Sequence, residues 1–204
     1  MFKNPINKGV LNLKGVKFAY EIYINPITHS GETKTYMINK LGDRIKNGQI
    51  CLNVTKERVR TTIENNDYAA MAFVKNQDTD DEASGALQHY DWCNSGEKQL
   101  WIGDLCRITN TNPKPLISPV EAILDLFSSY AKHLHLPKIH LMVNNKDSEN
   151  LRILTEIYKK YGFNKSQLCT KTGFLIMEKP FVKSGGSRRR RKKTRRSRLS
   201  PIAT

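Results

Sequence analysis

The spacing of apolar residues changes its period along the chain, and each change predicts a different element. Val16 to Ile24 is rich in β-branched and aromatic residues in partial alternation, and Pro26 closes it, which predicts a strand. Upstream, the first ten residues, with Pro5 and Gly9, read as a loose arm. Residues 31–47 and 55–65 carry weaker helical patterns, with Thr55 placed as a cap and Val59 and Ile63 four apart on one face. Strands are predicted at 68–75, 83–92 and 98–108, joined by polar turns at 77–82 and 94–97, a spacing that makes an antiparallel meander.

The period then moves from 2 to 3.6. Ser118-Pro119-Val120-Glu121 reads as a capping box with proline at the first helical position. Val120, Ile123, Leu124, Phe127, Tyr130, Ala131 and Leu134 form one amphipathic stripe, ended by Pro137. Residues 139–143 make a short buried strand. A second helix starts at Asp147 or Ser148 and lays Leu151, Leu154, Tyr158 and Tyr161 along one face. Gly162 stands where a left-handed C-cap residue would, and Phe163 supplies the apolar contact that accompanies it. Further strands are predicted at 166–170 and 173–179. From residue 68 the order is β-β-β-α-β-α-β-β, which predicts an α/β (α+β) domain with a mixed sheet and a right-handed crossover into a parallel pair.

Composition sharpens this in two places. The chain has 204 residues and 38% hydrophobic content, enough for one packed core, and no apolar run reaches the roughly 18 residues of a membrane helix. With no apolar segment for export in Met1-Phe2-Lys3-Asn4-Pro5, an intracellular protein without membrane contact is expected. The net charge of +15 is uneven: nine of the 34 basic residues and no acid fall in 184–204, leaving the body, 1–183, at about +6. Cys51, Cys93, Cys106 and Cys169 make no C-x-x-C pair, so reduced thiols are expected, with Cys106 a small core residue. His133 and His135 lie two apart near a helix end and share no face, and the helix dipole accounts for them, so no metal is expected.

Three phrases go together. Ile139-His140-Leu141-Met142-Val143-Asn144-Asn145, then Asn150, then Ile157-Tyr158-Lys159-Lys160-Tyr161-Gly162-Phe163, in this strand–helix order, resemble the GNAT superfamily of N-acetyltransferases over roughly residues 68–180. The interval from Val143 to Tyr158 is about one helical turn longer than the usual family spacing. The resemblance implies a mostly antiparallel sheet with one parallel, splayed strand pair. It also implies acetyl-CoA as co-substrate, whose pantetheine amides pair with the open edge of the strand at Leu105-Cys106-Arg107-Ile108. Gly103 is then either the bulge that opens the gap or an ordinary packing glycine. The family's diphosphate loop corresponds to Lys114-Pro115-Leu116-Ile117-Ser118-Pro119, where Lys114, Leu116, Ile117 and Ser118 would meet the cofactor together with Asn150. The sequence departs from the family there: it has no glycine, Pro119 removes a donor, and Glu121 is expected to set a carboxylate beside the diphosphate.

For chemistry, the resemblance implies Tyr158 as the acid that protonates the leaving thiolate. Asp104 is the implied base for an amine acceptor of unknown identity, with His140 as a second candidate. The tail stands apart. Ser184-Gly185-Gly186-Ser187 reads as a flexible linker, followed by Arg188, Arg189, Arg190, Arg191, Lys192, Lys193, Arg195, Arg196 and Arg198, with no aromatic residue to build a core. Such a run pairs with nucleic-acid phosphates without regard to sequence, or serves an import receptor as a nuclear address. It also resembles tails of proteins from large DNA viruses. The leading expectation is a GNAT-like acyltransferase domain with a basic, disordered tail. The alternative is a non-catalytic nucleic-acid-binding or virion-associated protein on the same fold.

Overall fold

The computed structural model describes residues 4–24, 31–48, 55–65, 67–91, 93, 96, 98–108, 117–143, 148–169 and 171–181. Its elements run β1 (Ile6–Leu13), β2 (Val16–Ile24), α1 (Gly31–Lys46), α2 (Lys56–Glu64), β3 (Tyr68–Asn76), β4 (Glu82–Tyr90), β5 (Gln99–Arg107), α3 (Pro119–His133), β6 (Lys138–Val143), α4 (Ser148–Lys160), β7 (Asn164–Leu168) and β8 (Leu175–Pro180). The strands form one sheet in the order β1-β2-β3-β4-β5-β6-β8-β7. Every neighbouring pair is antiparallel except β5–β6.

The expected loose arm is instead a strand: β1 pairs with β2 along its whole length, from Ile6↔Tyr23 to Leu13↔Val16. The signal lay in Lys14-Gly15, both at positive φ (51° and 87°), the two-residue turn whose twist suits a hairpin. Asn12 Oδ1 steadies that turn by accepting from the Gly15 amide at 3.1 Å.

Helices α3 and α4 bury their stripes in the main core. Ile123, Leu124 and Phe127 of α3 are wholly buried, and Leu151, Leu154, Tyr158 and Tyr161 of α4 pack against the same cluster. Gly85 of β4 lets α3 sit directly on the sheet, since a Cβ there would lie 2.9 Å from Ile123 and 3.1 Å from Phe127. A separate cluster joins α1 and α2, through Met37, Leu41, Val59 and Ile63, to Tyr23, Met71 and Phe73 of the sheet. Thr55 caps α2 as expected, its hydroxyl accepting from the Arg58 amide at 3.1 Å. At the end of α4, Gly162 (φ 83°) donates to the Lys159 carbonyl and Phe163 to that of Tyr158, the paired bonds of a Schellman cap.

The cysteine expectation is corrected. Cys93 and Cys169, 76 residues apart in sequence, form a disulfide, and Cys106 is disulfide-bonded too rather than a free core thiol. Reduced thiols were expected from the absence of an export segment, an argument that carries no geometry. The fold brings the β4–β5 connection against the β7–β8 turn, and the disulfide packs there with Trp101, Met142 and Ile176. Cys51 lies outside the described residues. No helix among the described residues is long and apolar enough to cross a membrane.

Candidate functional site

Strands β5 and β6 run parallel for only two rungs, Trp101↔His140 and Ile102↔Leu141, although β5 continues to Arg107 and β6 to Val143. The far edge of β6 stays paired with β8 through all six of its residues, and β5 stays paired with β4 out to Ala83↔Arg107. The two strands therefore part as a wedge. Its β5 wall, residues 103–107, has no ladder partner on the β6 side among the described residues. Backbone amides and carbonyls on such an edge need partners, and an extended amide-bearing ligand supplies them as an added strand would.

Gly103 marks the apex. The β4–β5 register shifts between Ala86↔Asp104 and Leu87↔Ile102, leaving Gly103 as the extra residue of a β-bulge. A Cβ on Gly103 would come 2.7 Å from Gln88 Oε1, so glycine keeps the bulge compact. Beyond the bulge Asp104 faces α2, and Arg58 lies 3.1 Å from its carboxylate. Leu105 packs into the main core, Cys106 lies against the α1–α2 cluster, and the Ile108 amide donates to the Glu82 carbonyl at 2.8 Å.

Arg107, expected only for its backbone, is clamped by Asp81. Its Nε donates to Asp81 Oδ1 at 2.8 Å, and a second guanidinium nitrogen lies 2.6 Å from Oδ2. Asp81 was read from sequence as one acid of a polar turn; it is fully buried. The turn itself is closed by Asn76, whose Oδ1 accepts from the amides of Asp78 and Thr79. No sequence signal distinguishes Asp81 from its neighbours Asp78 and Asp80, because its burial depends on the distant Arg107.

At the start of α3, Ser118 caps the helix, its Oγ accepting from the Val120 amide at 3.3 Å. The Glu121 amide donates to the Ser118 carbonyl at 2.9 Å, and Pro119 has no donor. These first-turn donors are engaged within the chain. The reciprocal half of the expected capping box is corrected: the Glu121 carboxylate accepts from the Tyr161 hydroxyl at the end of α4. Tyr161 outcompetes the reciprocal capping contact because α3 and α4 pack on one face of the sheet. Ile117 is buried in the main core, which leaves only its backbone to meet a ligand. Lys114, Leu116, the Asn150 side chain and the tail 184–204 lie outside the described residues.

Tyr158 stands on the inner face of α4, its ring 6.1 Å from that of Phe163 in an edge-on contact. Burial pushes its phenol above the ordinary value. No hydrogen bond engages its hydroxyl among the described residues. His140 projects from the first rung of the wedge with its ring 4.8 Å from that of Trp101. Burial lowers its pKa, with Lys138 adding to the effect, while the Leu100 backbone and Glu178 oppose it. The half-buried His89 is lowered in the same way, by burial and then by Lys98.

A base whose folded pKa is depressed takes up its proton more readily in the unfolded chain. It therefore contributes stability that is full above the unfolded value, near 6.5, and is lost as pH falls through it. Melting temperature is expected to fall between about pH 7.5 and pH 5.5. His140→Gln should shrink that fall, His89 accounting for part of the remainder; equal slopes in both proteins would rule out the His140 contribution. Among the described residues no three His, Cys, Asp or Glu side chains come together as a metal ligand set.

No protein-family model matches this chain, and no curated protein is similar to it in sequence. Solved structures do resemble it. An acetyltransferase of the GNAT family from Listeria monocytogenes is 13% identical, matches 85% of this chain and 100% of its own, and superposes with a TM-score of 0.51. A ribosomal-protein alanine N-acetyltransferase from Escherichia coli is 11% identical over 82% of this chain and 97% of its own, with a TM-score of 0.46. An acetyltransferase from Streptococcus agalactiae is 12% identical over 79% and 98%, with a TM-score of 0.45. At 13% identity the likeness to the Listeria structure is one of fold alone: this chain has the fold of that GNAT-family acetyltransferase.

Proposed function

We propose that the chain is an acetyl-CoA-dependent N-acetyltransferase of the GNAT type. The observation that carries this is the β5–β6 ladder, which stops after two rungs while β5 runs on to Arg107. Acetyl-CoA supplies an activated acetyl group as a thioester. The chain's own contribution is a rigid edge at Leu105, Cys106, Arg107 and Ile108 that aligns an extended amide-bearing arm. Tyr158 supplies a proton to the departing thiolate, and Asp104 and His140 are the candidate acceptors for the proton of the amine. A phenol held protonated by burial is well matched to that role, because it keeps its proton until a strong base forms beside it.

The engaged donors at the start of α3 favour weak cofactor binding, since a diphosphate finds few free amides there. Acetyl-CoA is therefore expected to raise the melting temperature of the full chain only in the high micromolar to millimolar range; no shift at millimolar ligand would sink the reading. In that case the same observation supports a non-catalytic, polyanion-binding protein on this fold.

The tail belongs to the proposal in either case. Its nine cations, Arg188 to Arg198, suit nucleic-acid phosphates or an import receptor. Deleting 184–204 is expected to abolish salt-sensitive binding to duplex DNA. Binding that survives deletion would move the interface to the body.

A further inference from the structure

We propose that the Cys93–Cys169 disulfide is a redox-operated hasp on the wedge: it fixes the two halves of the sheet at the separation that receives the cofactor, and its reduction frees one half and weakens binding. The cofactor clause rests on the acetyltransferase reading; the hasp itself does not. The sheet divides at the β5–β6 seam into β1–β5 and β6–β8–β7. Among the described residues two rungs, Trp101↔His140 and Ile102↔Leu141, join the halves. By contrast, β4 and β5 stay paired from Ala83↔Arg107 to Tyr90↔Gln99, and β6 and β8 from Lys138↔Pro180 to Val143↔Leu175.

The two faces of the seam are spanned differently. Leu100, Ile102, Ile139, Leu141 and Val143 bury in the cluster that holds α3, so the helix bridges the seam on that face. Trp101, Met142 and Ile176 turn to the opposite face and pack there with the disulfide. Cys93 follows β4, in the first half; Cys169 follows β7, in the second. The bond is therefore a covalent tie across the seam on the face opposite α3. Each sulfur is presented by a closed turn. The Cys169 amide donates to the Phe174 carbonyl at 2.8 Å, and the Gly173 amide to the Cys169 carbonyl at 2.7 Å. Near Cys93, Asp91 Oδ2 accepts from the Gly96 amide at 2.8 Å. Reduction leaves both turns in place and unties only the link between them. The half it releases is lightly built at its outer edge, where β7 is exposed throughout and its pairing with β8 carries a register shift.

The redox step balances. Cys169 is 1% exposed and Cys93 half-buried, so an incoming thiolate meets the Cys93 sulfur. A dithiol reductant attacks there, the S–S bond breaks and Cys169 leaves as a thiolate. The second thiol of the reductant then displaces Cys93 from the mixed disulfide. Two electrons pass to the protein, the two thiol protons end on the cysteines, and the reductant ends as a disulfide. With the tie intact, a ligand meets a gap already formed. With it open, two rungs and α3 hold the gap, and binding-competent conformers make up a smaller share; a tenth share weakens apparent affinity ~10-fold.

The test uses the full chain. Peptide mapping without reductant should show residues 93 and 169 linked, and millimolar dithiothreitol should open the bond reversibly. The double variant Cys93→Ser with Cys169→Ser keeps the separate disulfide of Cys106 and should melt about 10 °C lower. Its β6, β7 and β8 amides should exchange with deuterium ~10-fold faster while those of β2–β4 keep their rates; a plain loss of stability quickens both sets. Acetyl-CoA should bind this variant ~10-fold more weakly. Met37→Ala, a truncation in the buried α1–α2 cluster, should lower the melting temperature without weakening binding. Should the double variant not fold, the parent chain under graded dithiothreitol gives the same readouts, with differential alkylation reporting which bond has opened. An unlinked pair in the oxidised chain, uniform acceleration of exchange, or equal affinity in both states overturns the hasp and leaves acetyl-CoA binding standing. Acetyl-CoA that binds neither state overturns the acetyltransferase reading and the cofactor clause with it, while the exchange pattern still decides the hasp.

Discussion

Tyr158→Phe is expected to lower acetyl-CoA turnover about 10²-fold while leaving the melting temperature within a degree or so. The two halves of that expectation have separate causes. The ring contributes packing: it meets Phe163 edge-on and lies against the main core, and phenylalanine keeps both contacts. Among the described residues no hydrogen bond engages the hydroxyl, so its loss costs none of them a partner, and on the proposed reading it removes a proton donor. If instead stability falls by several degrees with turnover intact, Tyr158 is a core residue and the thiolate takes its proton elsewhere. A kcat loss without a KM change would place the hydroxyl in the chemical step rather than in binding.

Arg107→Met should produce the largest stability loss of any single change near the wedge. Asp81 is wholly buried and Arg107 answers both of its carboxylate oxygens. Removing the guanidinium strands a buried negative charge, which typically costs about 3–5 kcal/mol. For a domain of this size that corresponds to a melting temperature lower by roughly 10 °C. The double variant Asp81→Ala with Arg107→Met should recover much of the loss, because no unpaired charge then remains. A melting temperature within two degrees of the parent for the single variant would show that solvent reaches Asp81 and that the clamp is weak. The pair also has a bearing on function: it holds the last residue of β5 against the β3–β4 turn, on the side away from the wedge. Loosening it should weaken acetyl-CoA binding more than a core truncation of equal cost.

The cap at Gly162 was legible because its signal is local; the bulge was one of two readings of Gly103, and the parting of β5 from β6 was implied only by the family resemblance. A glycine in a strand, a glycine-phenylalanine pair after a helical stripe and a change of period each act within a few residues. The β1 strand shows the limit of that legibility. Its apolar residues alternate poorly, and only the positive φ of Lys14-Gly15, a property of the turn rather than of the strand, pairs it with β2. Glu121 was legible as part of a cap, but its carboxylate went to Tyr161, a partner 40 residues away.

From the sequence alone came the alternation of periods, the caps of α2, α3 and α4, the order of strands and helices from β2 onward, and the separate chemistry of the basic tail. These follow from backbone preference and burial within single elements, where near neighbours decide the outcome. Tertiary structure alone decided that Asp81 turns inward to Arg107 across 26 residues and that Cys93 meets Cys169 across 76. It also decided that the Trp101 and His140 rings meet, with His140 Nδ1 and Trp101 Nε1 lacking a hydrogen-bond partner among the described residues. Each of these depends on two segments being carried to one place by the packing of everything between them. A residue's own chemistry states what it can bind; only the folded sheet determines what stands beside it.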